Sequence, residues 1–509
     1  MTDKKTDVLL VNPTRVGVDA YCTPPLHLMY LKQALAEAGY KAEMVNVHEI
    51  YAKAAGVDKN YEKQIDRKRR VEERAIADIL EWDARLIGIG GVCPSYEFGE
   101  RLAREVKRRQ KTPIVVGGSL GLPLKDLWYE NTEVDYLCEA DGERTIVQVM
   151  ESLTRPADLK KIPGLHWRGN GGWEGNRPDL PKDLDYIAAP YIRDIDYDYY
   201  MDIEKRWVNR TLPANKRLGP EERVFPVIFT RGCIYNCLFC FHFNRKHRRH
   251  SIEYIIDYLS YLKREFGVTV VVTWDDLVMG NPKWFMELCD ALRKASLGIK
   301  IFTSGGKANI ITQEMARKMA GANFFRVSYG IESGSQTILD EMQKMATVED
   351  NRRAVEVTTR AGIFVHINIV LGMPGETRET LAETFDFLMG VAQENNLSMQ
   401  NISCSFATAY PGTQLYESLV QRKIIPDMRD YILDMKGVGD PEPVLCRLSK
   451  KELKDFEAKV KFKVNDIYFK GQGRNVKRAL NLMVNNKYSR AIGRSAPPGV
   501  KDAVRNIIG

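Results

Sequence analysis

VFPVIFTRGCIYNCLFC, residues 224–240, decides the reading: an apolar run of strand character delivers Cys233, Cys237 and Cys240 in a C-x3-C-x2-C array. Three thiolates on one tight loop can hold three irons of a 4Fe–4S cluster and leave the fourth iron open to another ligand. The common zinc and four-thiolate patterns need a further Cys or His at fixed spacing, and the array has none. Buried cysteines acting as small hydrophobes are the structural alternative.

Downstream, five more strand-like runs follow VFPVIFT: VTVVVTWD, IKIFTSG, FFRVSYGI, FVHINIVLG and ISCSFATA. Helical patterns such as SIEYIIDYLSYLKREFG and PKWFMELCDALRKA separate them. Six βα units predict a partial parallel (β/α)6 barrel over residues 223–420, with its chemistry at the carboxyl ends of the strands. Asp275 and Asp276 in TWDD and Glu332 and Ser333 in YGIESGS fall at such ends. Acidic and hydroxyl groups there suit a cationic amino acid moiety and ribose hydroxyls, or they cap the following helices. VLGMPGET places Gly372 and Gly375 in a tight turn, Asn368 lies inside the preceding strand, and Tyr410 of AYPGT closes the sixth unit, near the expected substrate.

The array and barrel resemble the radical S-adenosylmethionine (radical SAM) superfamily. The resemblance implies that Cys233, Cys237 and Cys240 bind the cluster, and that its free iron chelates the methionine end of SAM. It further implies that Phe239 packs near the adenine, that the Gly372 turn flanks the adenosine, and that Asn368 contacts SAM. Arg245, Lys246, Arg248 and Arg249 follow the array. They form either a solvated basic lead-in or, through one arginine, a bidentate hold on a carboxylate.

Upstream, DVLLVNP, KAEMVNV, RLIGIGGV, TPIVVGGS and VDYLCEAD read as five strands of a doubly wound, Rossmann-like α/β domain over residues 1–150. Ligands of such sheets bind beyond the strand ends. There lie Ser95, the run Gly117, Gly118 and Ser119, and the acidic turn Glu139 to Thr145. This layout resembles the cobalamin-binding domain found upstream of one large group of radical SAM enzymes. By that resemblance Ser95, Gly117, Gly118 and Ser119 line the slot for the cofactor's nucleotide tail, and Glu139, Asp141, Gly142 and Glu143 lie near the corrin. The first loop, NPTRVGVDAYCTPP at residues 12–25, has no histidine to ligate cobalt, and His48 is not an equivalent. Cobalamin is therefore expected base-off and His-off, with Arg15 or Tyr21 near its lower face.

Residues 151–222 are rich in Gly, Pro and Asp and read as a linker with little regular structure; residues 421–509 read as a helical, basic extension carrying Lys459, Lys461, Lys463, Lys470, Arg474, Lys477 and Arg478. The 509 residues exceed one hydrophobic core, and 44% hydrophobic with 28% charged residues is an ordinary globular composition. Nine cysteines, odd in number and scattered, argue against a secreted disulfide framework, and the amino-terminal apolar run is too short for a signal core or a membrane span. A cytoplasmic location is expected. The formal charge of +8 suits anionic cofactors, an acidic partner or nucleic acid without choosing among them.

The resemblance implies a C-methyltransferase acting on an unactivated sp3 carbon through a 5'-deoxyadenosyl radical and methylcobalamin, with an external ferredoxin or flavodoxin as electron donor. Substrates in that group include small molecules, lipids, peptides and proteins, a glutamine of methyl-coenzyme M reductase among them, and a peptide or protein residue is the preferred expectation. A cobalamin-dependent cyclase or ring-rearranging oxidase without net methylation is the alternative. A tRNA methylthiotransferase would carry three further cluster cysteines in its first domain, whereas Cys22, Cys93 and Cys138 lie on separate loops. Nucleic acid is accordingly not the expected partner, and a non-enzymatic sensor would have no use for six SAM-type strand ends.

Overall fold

The structure is a computed structural model that describes residues 4–13, 23–55, 61–139, 141–154, 158–191, 193–435, 439 and 442–471. Two compact units emerge. The first comprises Met1–Ile203, Phe239–Tyr254 and Ala409–Gly437; the second comprises Glu204–Leu238, Ile255–Thr408 and the described part of residues 438–509. The chain passes from the second unit to the first between Leu238 and Phe239, inside the cysteine array.

The first unit is built on strands β1 (Lys5–Asn12), β2 (Ala42–Asn46), β3 (Asp83–Gly91), β4 (Ile114–Gly118), β5 (Tyr136–Cys138), β6 (Leu165–Gly169) and β7 (Gly172–Gly175), in the order β2-β1-β3-β4-β5-β6-β7. The first five are parallel, as runs such as Val8–Val11 and Leu86–Ile89, buried on both faces, require. Their order reverses between β1 and β3, the kind of crevice in which doubly wound sheets take ligands. The helix Tyr96–Arg109 forms where its apolar period predicts it.

Residues 165–175 depart from the expected irregular linker. They fold as the antiparallel hairpin β6–β7 on the edge of β5. Each strand is four or five residues long and glycine-bearing, so the period-2 signal was too short to register. A helix, Tyr197–Arg210, also forms within that stretch.

The second unit holds six parallel strands: β8 (Val224–Val227), β9 (Val270–Thr273), β10 (Lys300–Gly306), β11 (Phe324–Glu332), β12 (Phe364–Leu371) and β13 (Ile402–Phe406). They pair in sequential order, β8-β9-β10-β11-β12-β13, as consecutive βα units must. The helices are bounded by local chemistry: Asn281 accepts a hydrogen bond from the Trp284 amide ahead of Pro282, and Thr347 and Asp350 form a capping box. The helix Lys450–Gly471 lies against the helix Arg378–Asn395 through Phe456 on Phe385, with ring centroids 6.4 Å apart, and through the Arg378–Glu452 pair at 2.7 Å. It carries Lys459, Lys461, Lys463 and Lys470 of the basic extension, while Arg474, Lys477 and Arg478 lie outside the described residues. Among the described residues no helix is long and apolar enough to cross a membrane.

Candidate active site

In the barrel unit the cysteine loop is braced from the next strand. Asp275 follows β9, and its Oδ1 accepts hydrogen bonds from the amides of Phe229 and Thr230 and from the Thr230 hydroxyl; Asp276 accepts from the Gly232 amide at 2.9 Å. Gly232, at φ +85°, lets the chain turn into Cys233. Burial pushes the Asp275 carboxyl up to about 6 in spite of those donors, and its Oδ2 has no partner among the described residues. Cys237 is buried, Cys233 and Cys240 are half-buried, and none of the three is in a disulfide. Burial raises the Cys233 thiol, so its thiolate awaits a compensating positive charge.

Among the described residues no three His, Cys, Asp or Glu side chains gather as they would around a single metal ion. A 4Fe–4S cluster asks for something different, one thiolate on each of three separate irons, and three cysteines on one short loop fit that donor set.

At the other strand ends, Glu332 stands at φ +65° with its carboxylate on Lys344 at 2.8 Å, both side chains about nine-tenths buried. The Ser333 hydroxyl meets the Thr384 hydroxyl at 3.0 Å and accepts from the Ser335 amide. Asn368 spans β11 and β13, donating to the Ser328 hydroxyl at 2.9 Å and accepting from the Ser403 hydroxyl at 2.8 Å. Gly372, at φ +84°, donates its amide to Glu376, whose carboxyl burial lifts to about 7. Asp275, Glu332 and Asn368 thus reach the carboxyl ends or inner register of the strands, each already engaged with its own scaffold.

In the first unit, Gly117 and Gly118 end β4 in register with Gly90 and Gly91 of β3. A Cβ on Gly118, at φ +77°, would lie 2.2 Å from the Gly91 carbonyl oxygen, while the nearest atom to one on Gly117 is 3.8 Å away. Beside them the Ser119 hydroxyl accepts from the Cys93 amide at 3.3 Å. Ser95, 2% exposed, ends the short turn Cys93–Ser95 with its hydroxyl unpartnered among the described residues. An open glycine backbone beside a buried, unsatisfied hydroxyl fits a polar cofactor tail.

After β5, Glu139 meets His166 at 2.9 Å, and Asp141 accepts from the Tyr186 hydroxyl at 2.9 Å and from Arg248 at 2.5 Å. Gly142 abuts Leu31, and Glu143 is buried at the start of the helix Glu143–Thr154. Glu139, Asp141 and Tyr186 line one polar cavity of about 180 Å3 with Arg144 and Gln148. Phe239 is half-buried, and so is Tyr410, whose carbonyl accepts from the Thr413 amide and hydroxyl. Arg15 and Tyr21 lie outside the described residues.

Of the basic run after the array, Arg248 turns out to be the internal partner of Asp141, and the Arg249 carbonyl accepts from the Leu184 amide. Two groups escaped the sequence reading, Lys307 and Tyr235. The only signal for Lys307 was its position, directly after a barrel strand.

Residues 227–388 match the model of the radical SAM superfamily. The barrel is a radical SAM domain. With that domain come a 4Fe–4S cluster and S-adenosylmethionine as cofactors, and the chain is an enzyme. It is 26% identical over 81% of its length to an uncharacterized methyltransferase of Pyrococcus horikoshii, of which 86% is covered. It is 25% identical to the anaerobic magnesium-protoporphyrin IX monomethyl ester cyclase of Rubrivivax gelatinosus, over 68% of this chain and 60% of that one. Its fold is that of the radical SAM methyltransferase TsrM from Kitasatospora setae, solved with cobalamin and a 4Fe–4S cluster bound: TM-score 0.63, 17% identity, 83% of this chain and 78% of that one.

Proposed function

We propose that the protein is a cobalamin-dependent radical SAM C-methyltransferase that methylates an unactivated sp3 carbon of a peptide or protein residue. The observation that carries methylation is the likeness to an uncharacterized methyltransferase over 81% of the chain, well beyond the matched radical SAM domain of residues 227–388. Cobalamin is supported by the unobstructed glycine backbone at Gly117 and the unsatisfied Ser95 hydroxyl, at the strand ends where this sheet topology takes ligands. The glutamine of methyl-coenzyme M reductase is the finer substrate proposal.

When bound, the cluster supplies one electron to cleave SAM, and cobalamin supplies the carrier for the methyl group. The chain's own work is placement. Asp275 and Asp276 fix the turn into Cys233; Cys233, Cys237 and Cys240 offer the thiolates; Gly372 keeps the fifth strand end free of side chain; and Ser95, Gly117, Gly118 and Ser119 cradle the second cofactor. An electron donor of ferredoxin or flavodoxin type completes the system. Each turnover would use two SAM and two electrons from that donor: one SAM and one electron would give methionine and 5'-deoxyadenosine after hydrogen-atom abstraction, and the other SAM would give S-adenosylhomocysteine and the methyl group, with the second electron restoring the methyl carrier.

The test is an anaerobic reaction of the reconstituted enzyme with dithionite, SAM and peptides covering the glutamine site. The expected outcome is equal 5'-deoxyadenosine and S-adenosylhomocysteine with a peptide heavier by one methylene. The cyclase relative favours a second reading, oxidative ring closure, in which 5'-deoxyadenosine forms without S-adenosylhomocysteine and the product loses hydrogen.

A further inference from the structure

Lys307 follows directly on β10 and is 5% exposed. Its Nζ donates to the Lys344 carbonyl oxygen at 2.5 Å and stands 4.0 Å from the centroid of the Tyr235 ring. Among the described residues no carboxylate pairs with it, since the nearby Glu332 is taken by Lys344. Tyr235 lies between Cys233 and Cys237. The Tyr235 hydroxyl is reached by Asn309 Nδ2 at 3.4 Å, and the same amide donates to the Met345 carbonyl at 2.8 Å. Leu238 adds a backbone bond to the Met342 carbonyl at 2.9 Å. Residues 307–309 and 342–345 therefore pin the cysteine loop.

The energetics leave this cation unexplained by the protein alone. Burying an ammonium is costly, and a single cation–π contact with one carbonyl bond returns only part of that cost. The imbalance shows in the proton affinity: burial and the Lys344 charge lower Lys307 to about 8, while Cys237, Cys233 and Glu332 pull the other way. The negative charge that would offset the cost is the thiolate set of the neighbouring loop, Cys233 and Cys237, present when iron–sulfur is bound.

We propose that Lys307 is the charge-compensating and positioning residue of the cysteine loop: it clamps Tyr235 and sets its positive charge against the thiolates of Cys233 and Cys237, making the bound cluster easier to reduce. The inference rests on the radical SAM reading of the array. Net charge near a cluster is one of the levers that set its potential.

The test is the cluster's midpoint potential, followed by electron paramagnetic resonance in a redox titration of the full-length reconstituted protein without SAM. Iron and sulfide content and circular dichroism are measured alongside. Lys307→Met removes the charge and keeps the length; Lys307→Gln also keeps a donor for the Lys344 carbonyl; Lys307→Arg keeps the charge. At the wild-type midpoint the reduced-to-oxidised ratio in the two neutral variants is expected to fall about tenfold, a shift of about 59 mV to more negative potential for one electron. Lys307→Arg should stay near wild type. A wild-type midpoint in either folded, cluster-loaded neutral variant overturns the proposal, even if SAM affinity drops. So does failure of both neutral variants to fold while Lys307→Arg folds, which would make the role purely structural. A wild-type protein that assembles no cluster would instead sink the reading of the array.

Discussion

Asp275 shows how a residue read as a ligand contact can also be structural. Its Oδ1 gathers two amides and a hydroxyl that lead into the cysteine loop, so the strand end is tied before any cofactor arrives. Only Oδ2 remains for anything else. Burial lifts this carboxyl from 3.8 to about 6, so between those pH values the native state holds a proton that the unfolded state has lost. Stability contributed by this group is therefore present at low pH and declines as pH rises through about 6. In Asp275→Asn, which keeps an acceptor but cannot titrate, that decline is absent. Urea denaturation of the cluster-free protein, followed by hydrogen exchange in β8–β10, should show the wild type losing stability relative to the variant from pH 4 to about 6.5, and a constant difference above pH 7. A difference that stays flat across the whole range would mean the buried carboxyl is not perturbed. Lys307 teaches the complementary lesson: in SGGKANI it looks like any solvated lysine, and only the fold brings Tyr235 and the Lys344 carbonyl to it.

At the scale of elements, the ends of β3 and β4, the edge proposed to take cobalamin, are built of paired glycines. Gly118 combines φ +77° with a Cβ position 2.2 Å from backbone, whereas Gly39, at φ +82°, has open space around it. Gly39→Ala should cost the left-handed backbone term alone, about 1–2 kcal/mol. Gly118→Ala adds a clash that only separation of β3 and β4 can relieve. It should destabilise more than Gly39→Ala and cut the hydroxocobalamin retained after desalting at least about tenfold, read by absorbance; equal retention in the two variants would remove the slot from this edge. The eleven parallel strands were readable as short apolar runs, β5 among them in VDYLCEAD, because buried parallel strands need such faces on both sides. The glycine pair was readable because a strand end without side chains stands out in an otherwise apolar run. The hairpin β6–β7 was not, because β6 is stabilised by pairing with β5 and β7 by pairing with β6 rather than by any period of their own.

At the scale of the whole molecule, the chain weaves: residues 239–254 and 409–437 return to the first unit after the chain has entered the second. Sequence reading works on neighbours, and the contacts that define this weave join residues 107 and 329 positions apart. Arg248, 1% exposed, closes on Asp141, and Arg429 reaches Glu100 at 3.1 Å. Asp141 keeps the Tyr186 hydroxyl and Glu100 keeps Arg104 if those arginines leave, so each loss is a partly uncompensated buried charge rather than a collapse. Removing one partner of a buried pair costs about 3–5 kcal/mol. Because the two units need not unfold together, a global midpoint would blur that cost, whereas hydrogen exchange locates it. Arg248→Met in the intact chain should speed exchange across β5 and the helix Glu143–Thr154 by on the order of 100-fold, the equivalent of about 3 kcal/mol. Exchange in β9–β12 should not move. Asp141→Asn placed on top of Arg248→Met should recover part of the protection, since it removes the stranded charge. If Arg248→Met instead loosens the barrel strands and leaves residues 136–154 protected, the segment after the cysteine array belongs energetically to the barrel, and the weave is a matter of proximity alone.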